Sequence, residues 1–216
     1  MTGEGGSGKG EGVWTGRLRD VGHALGRLAR GAQRALERLL HPLRRRLARE
    51  RLASAPAPTS VLVVCLGNIC RSPYAAALLR QALGDRGDAT PRIESAGFLM
   101  LGRPVPGVGQ QVAARRGIDL SAHRSQILTA AGAQAADLIV VMDGEQERAV
   151  RALIGGTRRT VLVLGDLDPE PISARTIFDP IGQPEAAFEE AYERIERCVG
   201  ELAAALGERR MGKAER

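Results

Sequence analysis

The chain has 216 residues, a net charge of +6, 44% hydrophobic residues and only 3% aromatics. That length suits one domain of about 150 residues with an appendage, and the scarcity of aromatics calls for a core of Leu, Val, Ile and Ala. The three cysteines, few and odd in number, exclude a disulfide framework and point to the cytoplasm, and no apolar run reaches the roughly eighteen residues of a membrane span.

Residues 1–13 read as a flexible tail, rich in Gly and polar side chains. They hold a near-miss to a nucleotide P-loop: Gly3, four residues, Gly8-Lys9, and then Gly10 where Ser or Thr is required. No strand precedes it, and nothing in the tail resembles a secretory signal. Residues 14–52 hold eleven arginines against Asp20, Glu37 and Glu50, a local charge of +8 that leaves the rest of the chain at −2. Within them Trp14, Leu18, Val21, Leu25, Leu28, Ala32, Leu36, Leu39, Leu43 and Leu47 recur at steps of three or four. This predicts a basic amphipathic helix, with Pro42 expected to kink or interrupt it. Such a helix packs on its own domain or a partner helix, or lies on an anionic membrane surface. Nucleic-acid phosphates are a weaker third partner.

Residues 53–59 (ASAPAPT) read as a linker, 60–207 as the main domain and 208–216 as a charged tail. Short apolar runs predict strands at Ser60–Cys65, Ile93–Ser95, Leu138–Met142 and Thr160–Leu164. Helical patterns cover 73–84, 105–116, 144–154 and 185–206. The alternation predicts an α/β fold of three layers, a parallel sheet covered on both faces.

The first strand ends directly in Cys65-Leu66-Gly67-Asn68-Ile69-Cys70-Arg71-Ser72, with Pro73 at the first turn of a helix. A strand–loop–helix junction of this kind cradles phosphate on backbone N–H groups and the helix N-terminus. Leu66, Gly67, Asn68, Ile69, Cys70 and Ser72 are the expected substrate-binding residues. Gly67 permits close backbone approach, Asn68 tolerates left-handed geometry, and the planar fork of Arg71 grips two phosphate oxygens. The same field favours a thiolate at Cys65, a nucleophile at neutral pH, and Ser72 can donate a hydrogen bond to its sulfur.

Thiolate attack on a phosphate ester needs an acid to protonate the leaving oxygen. Two Asp-Pro pairs compete beyond the fourth strand, Asp168-Pro169 and Asp179-Pro180. Asp168 has Glu170 nearby and reads otherwise as a turn former. Asp179 follows Ile177-Phe178, apolar neighbours able to desolvate its carboxyl, and is the stronger candidate.

Several blocks in order, VCLGNICRSP, SAG at 95–97, GIDLSAHRS at 117–125, ADLIVVMD at 136–143 and FDP at 178–180, resemble the low-molecular-weight protein tyrosine phosphatases of bacterial type, over residues 60–206. The resemblance implies a four-stranded parallel sheet flanked by helices, no metal or other cofactor, and a phosphocysteine intermediate on Cys65. It implies Arg71 as the phosphate grip and Asp179 as the general acid. It also implies a hydrogen-bonded prop of Asn68, Ser95 and His123, and a protective disulfide between Cys65 and Cys70. Cys198 reads as core.

Phosphotyrosine is the first substrate. An arginine phosphatase branch resembles this chain but carries Thr in place of Ile69, whose bulk favours a planar phenyl ring. An arsenate reductase branch relays oxidation to further cysteines, and residues 71–197 contain none. Ile181-Gly182 stand where many eukaryotic members have paired tyrosines, so Phe98–Leu101 are expected to supply apolar walls. Some bacterial members act on autophosphorylating tyrosine kinases, the partner implied here. A non-catalytic phosphotyrosine-binding scaffold is the alternative of a different class, and the presence of Cys65, Arg71 and Asp179 argues against it.

Overall fold

The run SVLVVC forms the central strand β1 (Ser60–Cys65), with its last five residues buried. The computed structural model of the protein describes the backbone of residues 11–84, 90–99, 101–156 and 159–214, and the side chains among these from 31 to 208. The Gly-rich tail with its P-loop near-miss, Met100, and the side chains of Trp14, Leu18, Val21, Leu25 and Leu28 lie outside what is described.

β1 pairs in parallel with β2 (Arg92–Gly97) on one side and with β3 (Leu138–Val141) on the other, and β4 (Thr160–Val163) adds to β3. The sheet order is therefore β2-β1-β3-β4. Strand alternation splits the core in two. Val61, Val63 and Cys65 face a core shared with α2 (Arg71–Leu83) and α6 (Glu185–Ala214), while Leu62 and Val64 face one shared with α4 (Ala130–Ala135) and α5 (Gly144–Ile154). This is the expected three-layer arrangement. α3 (Gly107–Arg115) packs beside α6. Chain progression reverses between β2 and β3 on either side of β1. The carboxyl end of β1 is thus the topological switch point, where open α/β sheets form their ligand crevice.

Two elements were not foreseen. α4 is a six-residue helix started by Thr129, whose Oγ1 accepts from Gly132 N at 3.0 Å. Leu164–Leu167 forms a 3-10 turn immediately after β4. β2 runs from Arg92 to Gly97, longer than the expected Ile93–Ser95, because β1 supplies six pairing positions. α6 continues well past residue 206, to Ala214.

The basic segment is one helix, α1 (Glu11–Ser54), with Pro42 inside it. Of the kink or interruption expected at Pro42, the interruption is corrected, since the helix runs through the proline: one backbone hydrogen bond is forfeited, but packing on both sides of the proline holds the helix to the domain. Ala48 and Leu52 are buried in the main core, Arg45 pairs with Glu201 of α6 at 2.6 Å, and the buried His41 donates from Nε2 to the Asp168 carbonyl at 2.9 Å. The opposite face carries the exposed Leu36, Leu39, Leu43 and Leu47. The stretch after α1 is tied down by Thr59, whose N and Oγ1 both donate to Asp137 Oδ2. Among the described residues no helix is long and apolar enough to cross a membrane.

Candidate active site

Cys65 ends β1, and the loop from Leu66 to Cys70 turns directly into α2. The loop curls back over the cysteine. Asn68 N donates to Cys65 Sγ at 3.2 Å and Ser72 Oγ donates to the same sulfur at 3.1 Å. Both donors are directed at the same sulfur. Cys70 occupies the N-cap of α2 without making a side-chain cap, which leaves the positive end of that helix facing the loop.

The turn depends on Asn68, which adopts φ 52, a left-handed conformation that Asn tolerates better than most residues. Its side chain is fully engaged. Nδ2 donates to Ser72 Oγ at 2.8 Å and to Ser95 Oγ at 2.9 Å, while Oδ1 accepts from Gln126 N at 2.8 Å. His123 Nε2 donates to the Asn68 carbonyl at 2.8 Å. Asn68, Ser95 and His123 thus meet in one prop, and Gln126 is a fourth member that sequence reasoning missed, since it contributes only backbone. Burial lowers the His123 pKa from its ordinary 6.5, with Arg80 and Arg124 adding to the effect against the Asn68 carbonyl. Gly97 matters here for its size. A Cβ at this position would lie 2.8 Å from both Asn68 N and Leu66 O.

Arg71 is almost wholly buried, its side chain 4% exposed against 28% for Asp179, with which it forms an ion pair. Arg71 Nη1 donates to the Ile177 carbonyl at 3.0 Å, and Ile177 N donates to the Met142 carbonyl at 3.0 Å. The segment carrying Asp179 is therefore fastened both to the cysteine loop and to the end of β3. Among the described residues buried Arg71 Nε has no hydrogen-bond partner.

Asp168 meets a different fate. It is fully buried, with Arg194 at 3.0 Å and Arg197 at 3.1 Å on its carboxylate. It does form the expected turn, accepting from Glu170 N. The turn-former reading was incomplete, since the carboxylate also anchors α6. Arg194 reaches on to the Ala174 and Thr176 carbonyls, the same stretch that leads to Asp179.

A small cavity of about 120 Å³ opens beside Cys70, lined by Leu66, Gly67, Ile69, Leu99, Arg103, Asp179 and Ile181. Ile69 and Leu99 are where the sequence expected apolar walls. Ile181, at a position where paired tyrosines were noted as lacking, supplies wall nonetheless. Phe98 lines a neighbouring hollow with Phe178, and Leu101 is exposed. Burial, with Asp179 and Cys65 nearby, pushes the Cys70 thiol up to about 12, Arg71 opposing. Cys198 is buried core as expected, its thiol likewise at about 12. All three cysteines are free thiols.

A cysteine loop at the switch point of a three-layer sheet, backed by an arginine–carboxylate pair, defines a phosphoric monoester hydrolase. The family model of low molecular weight phosphotyrosine protein phosphatase matches residues 60–211, and the chain belongs to that family. Over 141 residues it is 42% identical to a probable low molecular weight protein-tyrosine-phosphatase, EpsP, of Ralstonia nicotianae, covering 65% of this chain and 90% of that one. The phosphatase Etp of Escherichia coli is 34% identical over 148 residues, covering 68% and 94%. The crystal structure of the Erwinia amylovora tyrosine phosphatase AmsI superposes with a TM-score of 0.61 at 32% identity, covering 68% of this chain and 93% of that one. These relatives account for the domain after residue 60.

Proposed function

We propose that the protein hydrolyses protein phosphotyrosine in two steps through Cys65. In the first, Sγ attacks phosphorus, an S–P bond forms, the P–O bond to the tyrosine breaks, and Asp179 gives its proton to the leaving phenolic oxygen. In the second, Asp179 takes a proton from water as its oxygen attacks phosphorus. The S–P bond breaks, and inorganic phosphate leaves with Cys65 restored as thiolate. Arg71 binds the phosphoryl oxygens. Its free Nε and the uncapped start of α2 are the donors for them, and its ion pair with Asp179 holds that carboxylate at the same place until the phosphate takes over the guanidinium and the released carboxylate binds the proton, drawn from solvent, that it gives to the leaving oxygen.

The observation that carries this reading is the pair of hydrogen bonds into Cys65 Sγ from Asn68 N and Ser72 Oγ. A merely structural cysteine at a strand end has no use for two donors. Leu66, Gly67, Asn68, Ile69, Cys70 and Ser72 form the cradle, and Ile69 with Leu99 narrows it toward a flat ring. Cys65→Ser is expected to abolish turnover of p-nitrophenyl phosphate, and undiminished turnover would sink the mechanism. A panel of phosphotyrosine, phosphoarginine and phosphoserine peptides reads the substrate class.

The partner we propose is a phosphotyrosine-bearing protein of the cytoplasm, a tyrosine kinase being the candidate by family. α1 brings the enzyme to an anionic membrane face. Its docked side holds the domain, and the exposed Leu36, Leu39, Leu43 and Leu47, on an arginine-rich helix, remain for the lipid. Full-length protein should co-sediment with phosphatidylglycerol vesicles, and Leu39→Glu/Leu43→Glu should release it. Equal binding by both rejects this placement.

A further inference from the structure

The face of α1 that meets the loop after Asp168 encloses a groove of about 430 Å³. Four arginines line it, Arg38, Arg45, Arg46 and Arg49, together with His41, Pro42 and Glu50, and Pro169 and Pro171 close the far side. It lies apart from the cysteine loop and shares no lining residue with the cavity beside Cys70. We infer that this groove is a second anion site, built to hold a phosphate group between α1 and the Pro169–Pro171 turn.

Three observations support it. The charge is unbalanced. Glu201 serves both Arg45 and Arg49, at 2.6 and 3.4 Å, and Glu50 serves Arg46 at 2.7 Å. Four guanidiniums against two carboxylates leave two positive charges, the complement of a phosphate monoester dianion. Among the described residues two buried nitrogens also lack partners: His41 is 4% exposed with Nδ1 unbonded, and Arg45 has a buried, unbonded Nε. Buried polar atoms in folded proteins are nearly always satisfied, and a bound anion would satisfy both of these. Finally, His41 is fixed in orientation. Nε2 must carry a proton, because its partner is the Asp168 carbonyl, so Nδ1 can donate only when the ring is an imidazolium. A phosphate at Nδ1 requires that form, and the charged groups of the elements that meet here, Arg38, Arg45, Arg46, Arg49 and Glu50 on α1, Arg194, Arg197 and Glu201 on α6, and Asp168 and Glu170 at the turn, hold both signs. Arginine forks suit phosphate oxygens better than a single carboxylate.

The phosphate has two sources, a free ion or ester and a lipid headgroup. The site is independent of turnover, so the test reads binding. In full-length protein labelled with nitrogen-15, the His41 ring signals are assigned with His41→Gln and followed at constant pH and ionic strength as inorganic phosphate is added. Nδ1 is expected to move to the imidazolium position, and Arg46→Gln/Arg49→Gln is expected to weaken the titration by at least about tenfold. Sedimentation with phosphatidylcholine vesicles, with and without phosphatidic acid, separates the sources: binding that needs phosphatidic acid and falls in the double variant identifies a headgroup, and a response to free phosphate alone identifies a soluble ligand. Failure of His41 to respond to phosphate together with failure of phosphatidic acid to promote binding overturns the proposal, as does an unchanged response in the double variant. Loss of activity in Cys65→Ser has no bearing on it, so the two readings fail separately.

Discussion

The dipeptide Asp-Pro occurs at 168–169 and at 179–180, and the two copies stand in opposite surroundings. Asp168 is sealed under α6 with two arginines on its carboxylate. Asp179 keeps part of its carboxylate open to solvent, beside Arg71 and the cysteine loop. What separates them is the number of cations that hold each one and the space left in front of it. Asp168 is clamped by two guanidiniums with no space in front of it, whereas Asp179 shares a single guanidinium at a cavity mouth.

The contrast is sharpest in a pair of variants. Asp168→Ala strands two partly buried guanidiniums and is expected to cost about 3–5 kcal/mol of stability, measured by urea unfolding. Asp179→Ala is expected to shift that transition far less while lowering turnover by about 10²–10⁴-fold. Reversal of these two results would exchange the roles. Next in size, Gly97→Ala forces a methyl group against the Asn68 and Leu66 backbone. It is expected to cost about 1–3 kcal/mol and to reduce turnover with it, since the loop under Cys65 must shift.

Removing the hydrogen bond from α1 is milder. His41→Ala deletes the donor to the Asp168 carbonyl and is expected to cost about 1 kcal/mol. Because Asp168 is tied through Arg194 to the Ala174 and Thr176 carbonyls, kcat should fall slightly with KM unchanged. The smallest effect is on pH dependence. Burial lowers the His123 pKa below 6.5, so the unfolded chain takes up the proton first. Stability is full above about 6.5 and is lost as pH falls through that value toward the lower folded one. His123→Gln should flatten this part of the curve, and an unaltered slope would remove His123 from the prop.

The sheet and the cysteine loop were legible because their signals are local. Runs of Val, Leu and Ile mark the strands, and Gly67, Asn68 and Pro73 mark the turn into a helix. Asp179 was singled out by its apolar neighbours Ile177-Phe178 and by the family resemblance, and its pairing with Arg71, 108 residues away, was not legible. The partners of Asp168 were not, because Arg194 and Arg197 lie 26 and 29 residues further along and only packing brings them together. Gln126 was invisible for another reason: a backbone N–H carries no residue signature. α4 escaped because its sequence AAGAQA is too short to show a period, although Thr129 offered a cap. The interruption expected at Pro42 failed because propensity alone ignores the contacts of His41, Ala48 and Leu52 that hold the helix to the domain.

The central claim is that Asp179 protonates the leaving group while Cys65 attacks. It is tested most directly by the leaving-group dependence of Asp179→Ala. Phenyl phosphate, whose phenolate leaves poorly, should lose far more rate than p-nitrophenyl phosphate, whose anion leaves without help. Equal losses for both substrates would contradict the account.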